Sequence, residues 1–176
     1  MIMRQMVRFS VLILLLCGGV LLPGCGYHVG PLTHPQLKTV AIADVKNETY
    51  EVLGSALLRN ILAERFQFDN SLKLAPVERA DCIVYTRIIG VENSSISLRN
   101  NGSQKDYYPN ECRMRITVEF TVRMPGQAQP LVRNMNVTES CLYQFTQDPA
   151  IGRNNAMKQC FLRIANQIVT ATTEAW

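Results

Sequence analysis

Cys112-Arg113-Met114-Arg115-Ile116-Thr117-Val118-Glu119-Phe120-Thr121-Val122-Arg123-Met124 alternates without a break. Cys112, Met114, Ile116, Val118, Phe120 and Val122 fall on one side; Arg113, Arg115, Thr117, Glu119, Thr121 and Arg123 fall on the other. A period of two belongs to a strand with one face buried and one face wet. Pro125-Gly126-Gln127-Ala128-Gln129-Pro130 then reads as a hairpin tip. A further strand over about residues 131–145 returns alongside.

The neighbouring segments fill in the fold. Asp148-Pro149 opens a final helix, with Asp as N-cap and Pro at the first helical position. Met157, Cys160, Phe161, Ile164, Ile168 and Val169 form its apolar stripe. Upstream, residues 72–98 read as a strand region, strongest over 82–91 and interrupted early by Pro76. Residues 100–106 make a polar turn. A helix is expected over about 51–66, with Leu53, Leu57, Leu58, Ile61 and Leu62 as a core stripe and Asn47 or Thr49 as its cap. A short first strand spans 38–45. The order β-α-β-β-β-α predicts a single α+β domain, a four-stranded sheet with two helices packed on one face.

The N-terminus is an address. Arg4 and Arg8 precede an apolar run from Phe9 to Leu22, too short for the roughly 20 residues of a spanning helix. Leu22-Pro23-Gly24-Cys25 closes it and resembles a bacterial lipobox, in which the cysteine thiol receives lipid. Residues 1–24 are therefore expected to be a removed signal peptide, 25–37 a lipidated tether and 38–176 the folded domain. Two or three acyl chains on Cys25 would make detachment negligible, at about 0.8 kcal/mol per buried methylene. No cofactor is expected beyond that covalent lipid.

Composition narrows the function. Loss of Arg4 and Arg8 with the leader lowers the formal net charge of +4 by two. That is too balanced for a chain whose main partner is nucleic acid. The histidines, His28 and His34, both lie in the tether, so a Ser-His or Cys-His pair inside the domain is impossible. No GxSxG, Walker or HExxH motif occurs, and a non-enzyme is expected. Asp44, Glu48 and Glu51 cluster after the first strand, where they would complement the dipole at the N-terminal end of the helix.

Cys82, Cys112, Cys141 and Cys160 are an even set of domain cysteines, which in an oxidising compartment suggests two disulfides. A hairpin centred near Gly126-Gln127 would place Cys141 opposite Cys112, leaving Cys82 with Cys160. Buried free thiols are the alternative. Metal binding is weakly supported, since no CxxC occurs.

Three motifs in order carry a resemblance: Cys25-Gly26-Tyr27-His28, then Val40 to Thr49 (VAIADVKNET), then Arg79-Ala80-Asp81-Cys82-Ile83-Val84. The chain resembles the lipopolysaccharide-assembly lipoprotein family LptE. The resemblance implies a plug inside the outer-membrane β-barrel LptD that assists its assembly and binds lipopolysaccharide. It implies an outer-membrane, lipid-anchored location, with the domain on the periplasmic side or within the barrel lumen. Lipid A phosphates call for Arg and Lys. Arg113, Arg115 and Arg123 on the wet strand face are the candidates, with Arg87, Arg99, Lys105 and Arg133 nearby; an ordinary solvated face would look the same. A lipoprotein adaptor that activates a peptidoglycan synthase is the alternative. Such adaptors carry tethers of tens of residues, whereas about a dozen separate Cys25 from the first strand.

Overall fold

The computed structural model describes residues 37–100, 107–144 and 148–174; the leader, Cys25 and the tether lie outside the described residues. The elements are β1 (Thr39–Ile42), β2 (Lys46–Asn47), α1 (Gly54–Asp69), β3 (Lys73–Leu74), a 3-10 turn (Val77–Arg79), β4 (Cys82–Asn100), β5 (Tyr107–Arg123), β6 (Val132–Gln144) and α2 (Pro149–Thr173). The class is α+β, as expected, but the sheet has six strands rather than four, in the order β3-β1-β4-β5-β6 with β2 also on β4. The additions are the two-residue strands β2 and β3, too short to show a period. Proline divides the expected 72–98 strand: β3 ends before Pro76, which leads into the 3-10 turn.

The alternating stretch behaves as read. Met114, Ile116, Val118, Phe120 and Val122 are sealed beneath the helices, joined by Val40, Val84 and Ile88 from the neighbouring strands. From α1 come Leu58, Ile61, Leu62 and Phe66; from α2 come Met157, Cys160, Phe161, Ile164, Ile168 and Val169. β5 begins earlier than Cys112 and includes Pro109. Asp148 caps α2, its carboxylate accepting from the Ala150 amide at 3.0 Å.

α1 departs from expectation at its start. It begins at Gly54 after Leu53, with no side-chain cap, and Leu53 is 76% exposed instead of belonging to the stripe. Asn47 and Thr49 build the preceding turn instead. The Asn47 amide donates to the Glu51 carbonyl at 2.8 Å, and the Thr49 amide and hydroxyl donate to Asn47 Oδ1 at 2.9 and 2.7 Å. These local bonds compete with a helix, which delays its entry.

The β5–β6 register also differs. Met124-Pro125-Gly126-Gln127 is a tight turn with Gly126 at φ +81° and the Gln127 amide donating to the Met124 carbonyl. Val122 faces Val132 and, past a bulge, Phe120 faces Met135. Cys112 therefore faces Tyr143, and Cys141 faces Met114. The expected juxtaposition of Cys112 and Cys141 fails because the tip is centred later and β6 carries an extra residue.

Asp81 fixes the junction of β1 and β4. Its Oδ2 accepts from the Lys38 amide at 2.9 Å and from the Thr39 amide and hydroxyl at 2.8 Å each; its own amide donates to Thr39 Oγ1 at 2.9 Å. The Lys38 amide first, then Thr39, holds this carboxyl below its usual value of 3.8. A depressed folded pKa means stability that is present above the unfolded pKa and is lost as pH falls through the folded one. Asp81→Asn is expected to lower Tm at pH 7, with the gap from the parent closing as acidification proceeds below about pH 3.8. Paired thermal melts from pH 7 to pH 2.5 check this; a gap that is constant with pH would contradict it.

Candidate functional site

The helices cover one side of the sheet and leave the other side of β4, β5 and β6 open. Across this face Glu92 faces Arg115 and Ser94 faces Arg113 on β4–β5, while Leu142 faces Arg113 and Ser140 faces Arg115 on β5–β6. Further along, Thr117 and Thr138 share a hydroxyl contact at 3.0 Å, and the Thr121 hydroxyl donates to Asn134 Oδ1 at 2.6 Å. Near β1 the same side is closed by Ala41, Ala80 and Ile83, with Ala43 and Ala75 packed on them.

The expected cations do not form one cluster. Arg113 and Arg115 are neighbours on the exposed face, but Arg123 lies ten residues further along β5, roughly 33 Å away. Among the described residues Arg115 makes only a long, exposed pair with Glu92 at 3.8 Å. Among the described residues no acidic partner is found for Arg113 or Arg123. Arg123 borders a shallow hollow with Tyr85 and Thr121. Arg133 donates to Gln129 Oε1 at 3.3 Å beside the hairpin tip. Lys105 and the side chain of Arg99 lie outside the described residues.

Arg87 has a different job. It bridges Glu119 on β5 and Glu48 beside β2, at 2.8 Å each, so its charge is already matched. Glu119 first, then Glu48, raises its pKa above the ordinary guanidinium value. The acidic residues expected to serve the α1 dipole are likewise spoken for: Asp44 pairs with Arg59 at 2.9 Å, and Glu51 with Arg153 of α2. No acid lies in the first turn of α1. These partners are distant in sequence, which is why no local pattern signalled them.

Sequence reasoning also missed an apolar feature. Tyr50 is fully exposed and Val52 is 87% exposed. With Leu53, Leu57 and Met157 they border a hollow of about 400 Å³ between the α1 entry and α2, at whose margin Glu51 meets Arg153. Adjacent exposed apolar side chains of this kind mark interaction surfaces. The available signal was Tyr50-Glu51-Val52-Leu53, apolar residues crowded just where the turn chemistry ends.

All four described cysteines are free and buried. Burial first, then the Asp81 charge, pushes the Cys82 thiol up to about 12. Cys82 lies at the β1 end of β4, its Sγ 3.6 Å from the Thr39 carbonyl. Cys160 contacts Met114, about ten residues along β5 from the row of Cys82, which puts the two roughly 33 Å apart. The expected Cys82–Cys160 pair is thus out of reach of the 4.4–6.8 Å Cα separation a disulfide needs. Among the described residues no group of three or more His, Cys, Asp or Glu is placed to hold a metal. No described helix is long and apolar enough to cross a membrane.

Two helices on one face of a mixed sheet, an open polar face and an exposed apolar rim make up the described domain. The chain belongs to the LptE lipopolysaccharide-assembly family, whose model matches residues 37–172. That family is one of non-enzymatic lipoproteins. The fold is also similar to that of a Xanthomonas campestris protein, with TM-score 0.58 and 10% identity over 80% of this chain and 89% of that one. A minor lipoprotein of Acinetobacter baumannii gives TM-score 0.48 at 16% identity, covering 76% and 90%. The rare lipoprotein B of Shewanella oneidensis gives 0.45 at 20%, covering 74% and 92%. No curated protein matches the chain.

Proposed function

We propose that this chain is an outer-membrane lipoprotein, held by lipid on Cys25, that partners the β-barrel LptD and binds lipopolysaccharide without catalysis. Family membership over residues 37–172 carries the reading. The open sheet face supports it. Arg113 and Arg115 are exposed there with little competition from neighbouring carboxylates, which suits a phosphorylated glycolipid head. The exposed Tyr50, Val52 and Leu53 offer an apolar contact for a barrel wall. Arg87 is better placed as a strut than as a ligand, because Glu48 and Glu119 already hold it.

Co-purification from detergent tests the partner: a large β-barrel should accompany the lipidated chain, and its absence would count against the plug. For the ligand, Arg113→Glu with Arg115→Glu should weaken lipopolysaccharide binding roughly tenfold or more, while thermal stability stays near that of the parent. Both side chains are solvent-exposed, so the fold does not depend on them. Unchanged binding in the double variant would remove this face from the site.

A further inference from the structure

We propose that Cys141 and Cys160 form a disulfide that ties α2 to β6. Cys141 lies on the buried face of β6 directly opposite Met114. From α2, Cys160 Sγ reaches the Met114 carbonyl at 3.8 Å and the Glu139 carbonyl at 3.9 Å. The helix therefore sits over the same rung of the β5–β6 ladder that carries Cys141. Burial first, then the neighbouring Cys141 thiol, pushes the Cys160 thiol upward.

The other pairings fail on geometry. Cys112 faces Tyr143, so it is a diagonal neighbour of Cys141, and such neighbours are about 7–8 Å apart. That exceeds the Cα range of an unstrained bridge. Cys82 stands at the far end of the sheet from all three others. One bond and two lone thiols follow, in place of two bonds.

The chemistry needs an oxidant, here a protein or small molecule bearing a disulfide. One cysteine thiolate attacks a sulfur of that disulfide and displaces one of its thiolates, forming a mixed disulfide. The second cysteine thiolate attacks the protein sulfur of that bond and releases the oxidant's remaining sulfur as a thiolate, so the oxidant leaves fully reduced. Two electrons and two protons pass from the cysteines to the oxidant. Cys160 is sealed and its thiol held protonated once α2 has docked. The exchange therefore belongs to folding, before docking, and the folded reduced protein should resist oxidation.

The proposal rests on the lipoprotein reading only through the oxidising compartment that export supplies. The full chain is denatured, refolded with a mixture of reduced and oxidised glutathione, and labelled with maleimide under denaturing conditions. In parallel, chain recovered from cell envelopes is trapped with acid and labelled in the same way. The expected result in both is loss of two domain labels relative to a reduced control, and a linked peptide joining Cys141 to Cys160. Cys82→Ala with Cys112→Ala should retain the bond, and peptide mapping of the parent decides should that variant misfold. Full labelling in both preparations, or a linked peptide containing Cys82 or Cys112, overturns the pairing. A bond in the refolded chain with full labelling in the envelope chain upholds the pairing and overturns the export reading instead.

Discussion

Phe161→Ala is expected to lower folding stability by about 3–5 kcal/mol. Phe161 is fully buried on α2, among the largest sealed side chains in the domain. It belongs to the one cluster that joins both helices to the sheet, and its ring lies near the start of α1, where a Cβ on Gly54 would sit 3.8 Å from Cζ. Truncation removes the transfer energy of the ring and leaves a cavity that two helices and a sheet close only in part. Domains of this size have about 5–15 kcal/mol in total, so the variant should retain a marginal fold at best. Chemical denaturation reads the loss directly. A cost below about 1 kcal/mol would show that the helices repack freely, contrary to a shared core.

The second large effect concerns Gly152, in the first turn of α2. A Cβ there would lie 2.9 Å from the Gln144 carbonyl and 3.3 Å from Tyr143 Cδ2. Two effects oppose each other. A side chain in place of a helical glycine ordinarily gains stability, at best about 1 kcal/mol for alanine. The obstruction here is the backbone at the end of β6, which cannot swing aside as a flexible side chain does. Overpacking of this kind costs typically 1–3 kcal/mol, and a branched substituent enlarges it. Gly152→Val should therefore destabilise by about 2 kcal/mol, whereas simple helix propensity predicts a small gain. Hydrogen exchange should show the disturbance concentrated in the first turns of α2 and the end of β6. A variant as stable as the parent would show that this turn is free to lift.

Much of the architecture was legible because it is written locally. The alternation through Ile116, Val118 and Phe120 marked the central antiparallel strand, and Asp148-Pro149 marked the α2 entry to the residue. Most of what escaped was set by distant contacts. β2 exists because Lys46 and Asn47 find Arg87 and Ile88, some forty residues on. Leu53 reads as part of a helical stripe, yet the Asn47–Thr49 turn starts the helix one residue after it. Of the site, the exposed side of β5 was readable, but its charge balance was not. Arg87 looks like Arg113 in sequence; only Glu119 of β5 and Glu48 just after β2 make it a strut.

The sheet order has a consequence for how the molecule comes to be folded. β4, β5 and β6 follow one another and pair as neighbours, so the entropic toll of closing their loops is small. β1 is different: Val40 must wait for Cys82 and Leu74, each more than thirty residues further along the chain. The strand made first is thus the one completed last. A nascent chain should hold the β4–β5–β6 meander as its folding nucleus and dock β1 late, with Asp81 as the latch. Mutations in β5 should then slow folding, and mutations at Thr39 should mainly speed unfolding.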